Sequence, residues 1–130
     1  MAIRALAYFG RTEAPHIVQL YEHDHSLFSH NTYRLVILSM LEQNTVTDPA
    51  TLKKIEDLML AQASSRNWED RSMAVEAVSF FTDQAARARL TDMSLHDPSM
   101  ETDPDNTKHY DIREKAARAL QHPMAGNYTD

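Results

Sequence analysis

The stretch Asp111-Ile112-Arg113-Glu114-Lys115-Ala116-Ala117-Arg118-Ala119-Leu120 decides the fold. Ile112, Ala116, Ala119 and Leu120 fall at i, i+4, i+7 and i+8, which is one apolar stripe of an α-helix. Alanines on such a stripe let a neighbouring helix approach closely. The spacing recurs upstream. Arg71, Ala74, Ala77 and Val78 repeat the positions of Arg113, Ala116, Ala119 and Leu120, and Arg34, Ile37, Met40 and Leu41 repeat them with larger side chains. Arg34 to Arg71 is 37 residues and Arg71 to Arg113 is 42. Both spacings suit a two-helix repeating unit of roughly 30 to 47 residues.

Outward from the copied helix, the remaining chain reads as more helix. Ala2 to Phe9 is expected to form a short helix stopped by Gly10 as its C-terminal glycine. Glu13 to His23 follows, with Pro15 in the first turn and Ile17, Val18, Leu20 and Tyr21 on the apolar side. Asp24 to Ser29 reads as a polar connection with Leu27 and Phe28 tucked inward. His30 to Gln43 is apolar nearly all round, through Leu35, Val36, Ile37, Leu38, Met40 and Leu41, and should be buried. Asp48 and Pro49 make a helix start, with Asp48 as N-cap. Leu52, Ile55, Leu58 and Met59 mark the buried face of the helix they open. Asn67 is the expected N-cap of a helix from Trp68 to Phe81. Thr82 is the expected cap of the next, to about His96, with Ala86, Leu90 and Met93 inward. Asp97 to Lys108 lacks periodicity and reads as a mobile loop outside the helices. The last helix ends near Gln121, before His122-Pro123.

Composition agrees with a helical protein. The chain has 130 residues, two glycines and five prolines, and few alternating β-branched runs. No apolar run approaches the roughly 20 residues of a membrane span, and Met1-Ala2-Ile3-Arg4 lacks a signal peptide's pattern. Cysteine is absent, which excludes disulfides, thiol catalysis and cysteine metal sites. A reducing cytoplasm is the expected location. The net charge of −6 argues against nonspecific nucleic-acid binding, which depends on neutralising phosphates.

The chain resembles the HEAT-repeat family, especially the HEAT-like units of phycobilisome lyases. Asp111-Ile112-Arg113, Ala116 and Ala119-Leu120 are similar to that family's outer-helix motif; Asp70-Arg71 and Tyr33-Arg34 match it less well. Ala5-Leu6, Phe9-Gly10, Glu13-Ala14 and Asp24 resemble the second half of an outer helix, a turn and an inner helix. The resemblance implies an all-α fold, a short α-solenoid of about seven helices stacked as hairpins. Its domain would cover residues 1–122, in units of about 2–24 (partial), 26–63, 67–96 and 108–122 (partial), with a loose tail at 123–130. The array would begin inside an outer helix and end without an inner partner. The chain is therefore expected to be a segment of a longer array, or to have its ends covered by a partner or by self-association.

Candidate chemistry is sparse. His16, His23, His25 and His30 are four of the seven histidines, and three such ligands suit zinc or iron. The family includes di-iron hydroxylases with repeated His-Glu pairs, but this chain has only Glu22-His23, reversed and unrepeated. Surface histidines are the expectation. Asp97, Glu101, Asp103 and Asp105 cluster acidic oxygens, but Pro98 and Pro104 interrupt them and no glycine shapes a calcium loop. Ser26, Ser29, Ser39 and Ser94 have no nucleophile turn around them. Gly10 and Gly126 cannot make a phosphate loop. No cofactor and no metal site are expected. Arg71 and Arg113 are expected to pair with acids on neighbouring units, in a ladder with Asp70 and Asp111. Trp68, the only tryptophan, and Tyr110 stand at equivalent helix starts, where packing between hairpins outweighs partner contact.

The function expected is a noncatalytic protein-interaction or scaffold module. The family's concave inner-helix face would bind a protein or peptide, with no nucleic acid and no membrane. Lys53, Lys54, Arg87 and Arg89 lie off the expected buried faces and would form a basic patch there, suited to an acidic partner, with Trp68 as a further contact. The alternative is a chromophore lyase or isomerase subunit, by analogy with the phycobilisome lyases. A DNA-repair glycosylase on such a scaffold conflicts with the acidic charge.

Overall fold

The computed structural model describes residues 10–23 and 27–121, with the backbone alone for 10–13 and 27–32. It is mostly helical. Among the described residues, α1 is Gly10–His23, α2 Leu27–Glu42, α3 Pro49–Gln62, α4 Trp68–Val78, α5 Gln84–His96 and α6 Asp111–Gln121. A two-stranded antiparallel ribbon, β1 (Glu101–Thr102) and β2 (Lys108–His109), sits between α5 and α6. The helix expected at Ala2–Phe9 and the tail at 123–130 lie outside the described residues, as does part of the connection at 24–29. No described helix is long and apolar enough to cross a membrane. The contacts divide the chain into two compact units, Met1–Leu58 and Met59–Asp130, and the division falls within α3.

In the first unit α1 packs on α2. Gly10 is the first described residue of α1, and Pro15 lies inside the helix. An interior proline removes one backbone donor. The burial of Ala14, Ile17, Val18 and Tyr21 on one face keeps the helix intact across it. Leu27 to Ser29, expected in a connection, belong to α2. Along α2, Val36, Ile37, Met40 and Leu41 are buried, but Leu35 is 42% exposed, so the helix keeps a solvent side. Its end is a Schellman motif. Asn44 takes φ 55°, Thr45 N donates to Met40 O (3.0 Å) and Asn44 N to Leu41 O (3.1 Å). The chain then turns Val46 into the core and reaches Asp48, whose carboxylate accepts from Thr51 N (3.1 Å) and Thr51 Oγ1 (2.6 Å). Asp48 is thus the N-cap of α3, as read from Asp48-Pro49. The Thr51 hydroxyl, then the Thr51 backbone N–H, hold its pKa below the ordinary carboxylate value.

In the second unit α6 packs against α5 and α4, and α4 touches α5. Ala74, Ala77 and Val78 of α4, Ala86, Leu90 and Met93 of α5, and Ile112 and Ala116 of α6 are buried. Asn67 caps α4, accepting from Glu69 N at 2.8 Å. The cap of α5 is Asp83, which accepts from Ala86 N at 3.0 Å; Thr82 was one residue too early. The expected helix to Phe81 ends at Val78. Tight backbone bonds, Phe80 N to Ala77 O and Phe81 N to Val78 O, turn both phenyl rings into the core.

The stretch 97–108 is built, not the structureless loop expected. Asp97 is buried at its start. Beyond it, Glu101 pairs with His109 and Thr102 with Lys108. Asp103-Pro104-Asp105-Asn106 makes the turn, with Asn106 N donating to Asp103 O (2.9 Å) and Asn106 at φ 68°. Proline at the second turn position and asparagine at the left-handed one explain it locally. Asp105 accepts from Thr107 N (2.9 Å), which, followed by the Thr107 hydroxyl, lowers its pKa.

Candidate functional site

The copied arginines point into the protein. Arg34 is buried, and Arg71 of α4 is nearly so. The Arg71 guanidinium donates from Nε to Asp97 Oδ2 (2.8 Å) and from Nη2 to Asp97 Oδ1 (3.4 Å) and Ser99 Oγ (2.7 Å). Its Nη1 reaches the carbonyls of Ser65 and Arg66, both at 3.0 Å. Arg113 of α6 donates from Nε to the Asp97 carbonyl (2.7 Å) and stacks on Tyr110, 4.1 Å from the ring centroid. Two repeat arginines thus converge on one residue at the C-terminal end of α5. Of the ladder expected with Asp70 and Asp111, the Arg71 rung differs: Arg71 takes Asp97, while Asp70 accepts from Ser65 Oγ (2.9 Å). Asp97, read as one of a solvated acidic cluster, is an internal counter-ion.

That junction holds Asp97 and Ser99, the approach to the ribbon, beside α4 and α6, and a groove of about 480 Å3 is lined by α4, the ribbon with its approach, and α6. Trp68 and Ser72 line it from α4. Ser99, Met100, Glu101 and His109 line it from the ribbon and its approach, and the first turns of α6 close it. Trp68 is 56% exposed and Met100 44% exposed. Trp68 is thus more than half exposed, where the packing role favoured from its position at a helix start would have it covered. It stays out because the inner face of α4 is already filled by Arg71, Ala74, Val75 and Val78. Lys115 of α6, which also lines the groove, donates to Ser72 Oγ (3.0 Å) and pairs with Glu76 (2.9 Å). His109 pairs with Asp103.

The expected basic patch has a different character. Lys53 and Lys54 belong to the first unit and Arg87 and Arg89 to the second. Lys53 pairs with Asp57 (3.2 Å) and lies 3.9 Å from Glu56; Lys54 pairs with Glu22 (2.9 Å). Arg89 lies 3.9 Å from Asp92, and Arg87 is exposed. Three of the four have an acid beside them, which reduces the field they offer a partner. A second groove, about 490 Å3, runs beside the Lys54–Glu22 pair, but no large apolar side chain stands exposed in it.

His16 and His23 are exposed; His25 lies outside the described residues, as does the side chain of His30. Among the described residues no group of three His, Asp or Glu side chains is arranged to hold a metal ion. Trp68 carried a sequence signal, as a lone aromatic at a helix start. Met100 carried a fainter one, an apolar side chain stranded in a polar stretch. Glu101, Glu114 and Lys115 carried none, because their meeting depends on the ribbon. No protein-family model matches the chain, and no curated protein and no solved structure matches it.

Proposed function

We propose that the chain is a noncatalytic protein-interaction module, a short HEAT-like array of helical hairpins in the cytoplasm, that takes a peptide segment of its partner in the groove at Trp68 and Met100. The observation that carries this is the pairing of those two side chains. Among the described residues only four large apolar side chains stand exposed, and two of them line this one groove. Tryptophan beside polar groups is a favoured anchor at interfaces, and methionine adapts to varied partners. The repeat pattern supports the array. Positions 34, 37, 40 and 41 are buried in α2, and positions 71, 74, 77 and 78 in α4. The groove is favoured over the basic side chains because Lys53, Lys54 and Arg89 already have acidic neighbours.

Selection of displayed peptides against the full chain tests the role. Enriched peptides are expected to bind the Trp68→Ala variant at least about tenfold more weakly, the loss typical of an aromatic anchor. The variant should fold, since the indole is mostly exposed. No enrichment, or enriched peptides that bind Trp68→Ala as tightly as the parent, overturns the proposal.

A further inference from the structure

We propose that the occupant of the Trp68 groove is a basic peptide segment, one that sets an arginine or lysine against the Trp68 indole and an apolar side chain beside Met100. The inference rests on the peptide-binding role above and adds the partner's chemistry, which is opposite in sign to the acidic partner suggested by Lys53, Lys54, Arg87 and Arg89. It comes from the charge among the residues that line the groove. Glu101, Asp111 and Glu114 line the groove and are all exposed. Against them stand Lys115 and Arg118, and Lys115 is bonded to Glu76 at 2.9 Å. His109 likewise has Asp103 against it. Trp68 itself is followed by Glu69 and Asp70 on α4.

Carboxylates thus outnumber lysine and arginine among the lining residues, on a chain whose net charge is −6. An indole face attracts a cation through its quadrupole, more strongly than any other side-chain ring. An arginine over Trp68 would leave its guanidinium within the field of the surrounding carboxylates, while its methylenes cover the ring. An acidic segment would meet that same field as repulsion, which lowers both association rate and affinity.

Three synthetic peptides of one apolar sequence, carrying arginine, glutamine or glutamate at the charged positions, test the inference. They are titrated into the full chain, followed by the emission of Trp68, the only tryptophan, and by calorimetry. The arginine peptide is expected to bind about tenfold or more tighter than the glutamate peptide, with glutamine between, and added salt should shrink the difference. The Glu101→Gln, Glu114→Gln double variant should weaken the arginine peptide several-fold more than the glutamine peptide. If all three peptides bind equally, or the glutamate peptide binds best, the basic-partner inference fails while the groove remains a peptide site. If none binds, the groove role fails and takes the inference with it. If Trp68 emission instead shifts with protein concentration alone, a second copy of the chain fills the groove and the inference is overturned.

Discussion

Removing the Asp97 carboxylate should be among the most damaging single changes available to the second unit. The Asp97 side chain is 2% exposed and that of Arg71 11%. Asp97→Ala would leave a nearly buried guanidinium without a counter-charge, and Ser99 N, now 3.0 Å from Asp97 Oδ1, without its acceptor. Breaking a buried ion pair from one side costs about 3–5 kcal/mol. Arg71 would keep the carbonyls of Ser65 and Arg66 and the hydroxyl of Ser99, so the lower end, about 3 kcal/mol, is expected. Against a total of about 5–15 kcal/mol for a domain, that is a large share. Urea unfolding followed by Trp68 emission reports on this unit directly. The midpoint should fall with little change in slope. Replacing both partners by apolar residues, Arg71→Met with Asp97→Leu, should cost less than Asp97→Ala alone, because no uncompensated charge stays buried. Asp92→Ala is the control: its contact with Arg89 is 3.9 Å and exposed, and its loss should cost no more than about 0.5 kcal/mol. An Asp97→Ala cost below about 1 kcal/mol would refute the claim that Arg71 depends on this carboxylate.

Ala116 is fully buried in α6, so Ala116→Leu should overpack the helix contact and lower stability by about 1–3 kcal/mol in the same assay. Asn106 holds a left-handed backbone at φ 68°, so Asn106→Val should destabilise the ribbon by about 1–2 kcal/mol, seen as faster amide exchange at Asp103, whose N–H bonds Thr107 O, and at His109, while Asn106→Gly should not. Asp48 has a lowered pKa in the folded state, so its capping contribution is fully present above the ordinary value of 3.8 and is lost as pH falls through the lower folded value. A carboxyl titration by NMR should show Asp48 protonating below 3.8, and Thr51→Val should move it back upward by removing the hydroxyl donor.

The helices were legible because their signal is local and repeated. Arg71, Ala74, Ala77 and Val78 share one face by spacing alone, and that face is buried. Caps were legible where a side chain bonds two or three residues away, as at Asp48 and Asn67. The ribbon was not, because strands of two residues carry no periodicity, although Asp103-Pro104-Asp105-Asn106 is a turn sequence in its own right. Asp97 looked solvated among its acidic neighbours. Its burial depends on Arg71, 26 residues earlier, which no local pattern expresses. Trp68 misled for a related reason. A lone tryptophan at a helix start suggests packing, and only the filled inner face of α4 shows that it has no place there. The groove depends on both surprises, so the site was far less legible than the fold.

The central claim is that Trp68 and Met100 form a binding surface. The most direct measurement is the NMR spectrum of the full chain with the arginine peptide added, reading the Trp68 indole N–H and the Met100 methyl. Both should shift together and saturate with one affinity, with amide shifts gathered on the start of α4, the ribbon and the first turns of α6. Saturable shifts centred instead on Lys53 and Lys54, with the indole and the methyl unmoved, would contradict it.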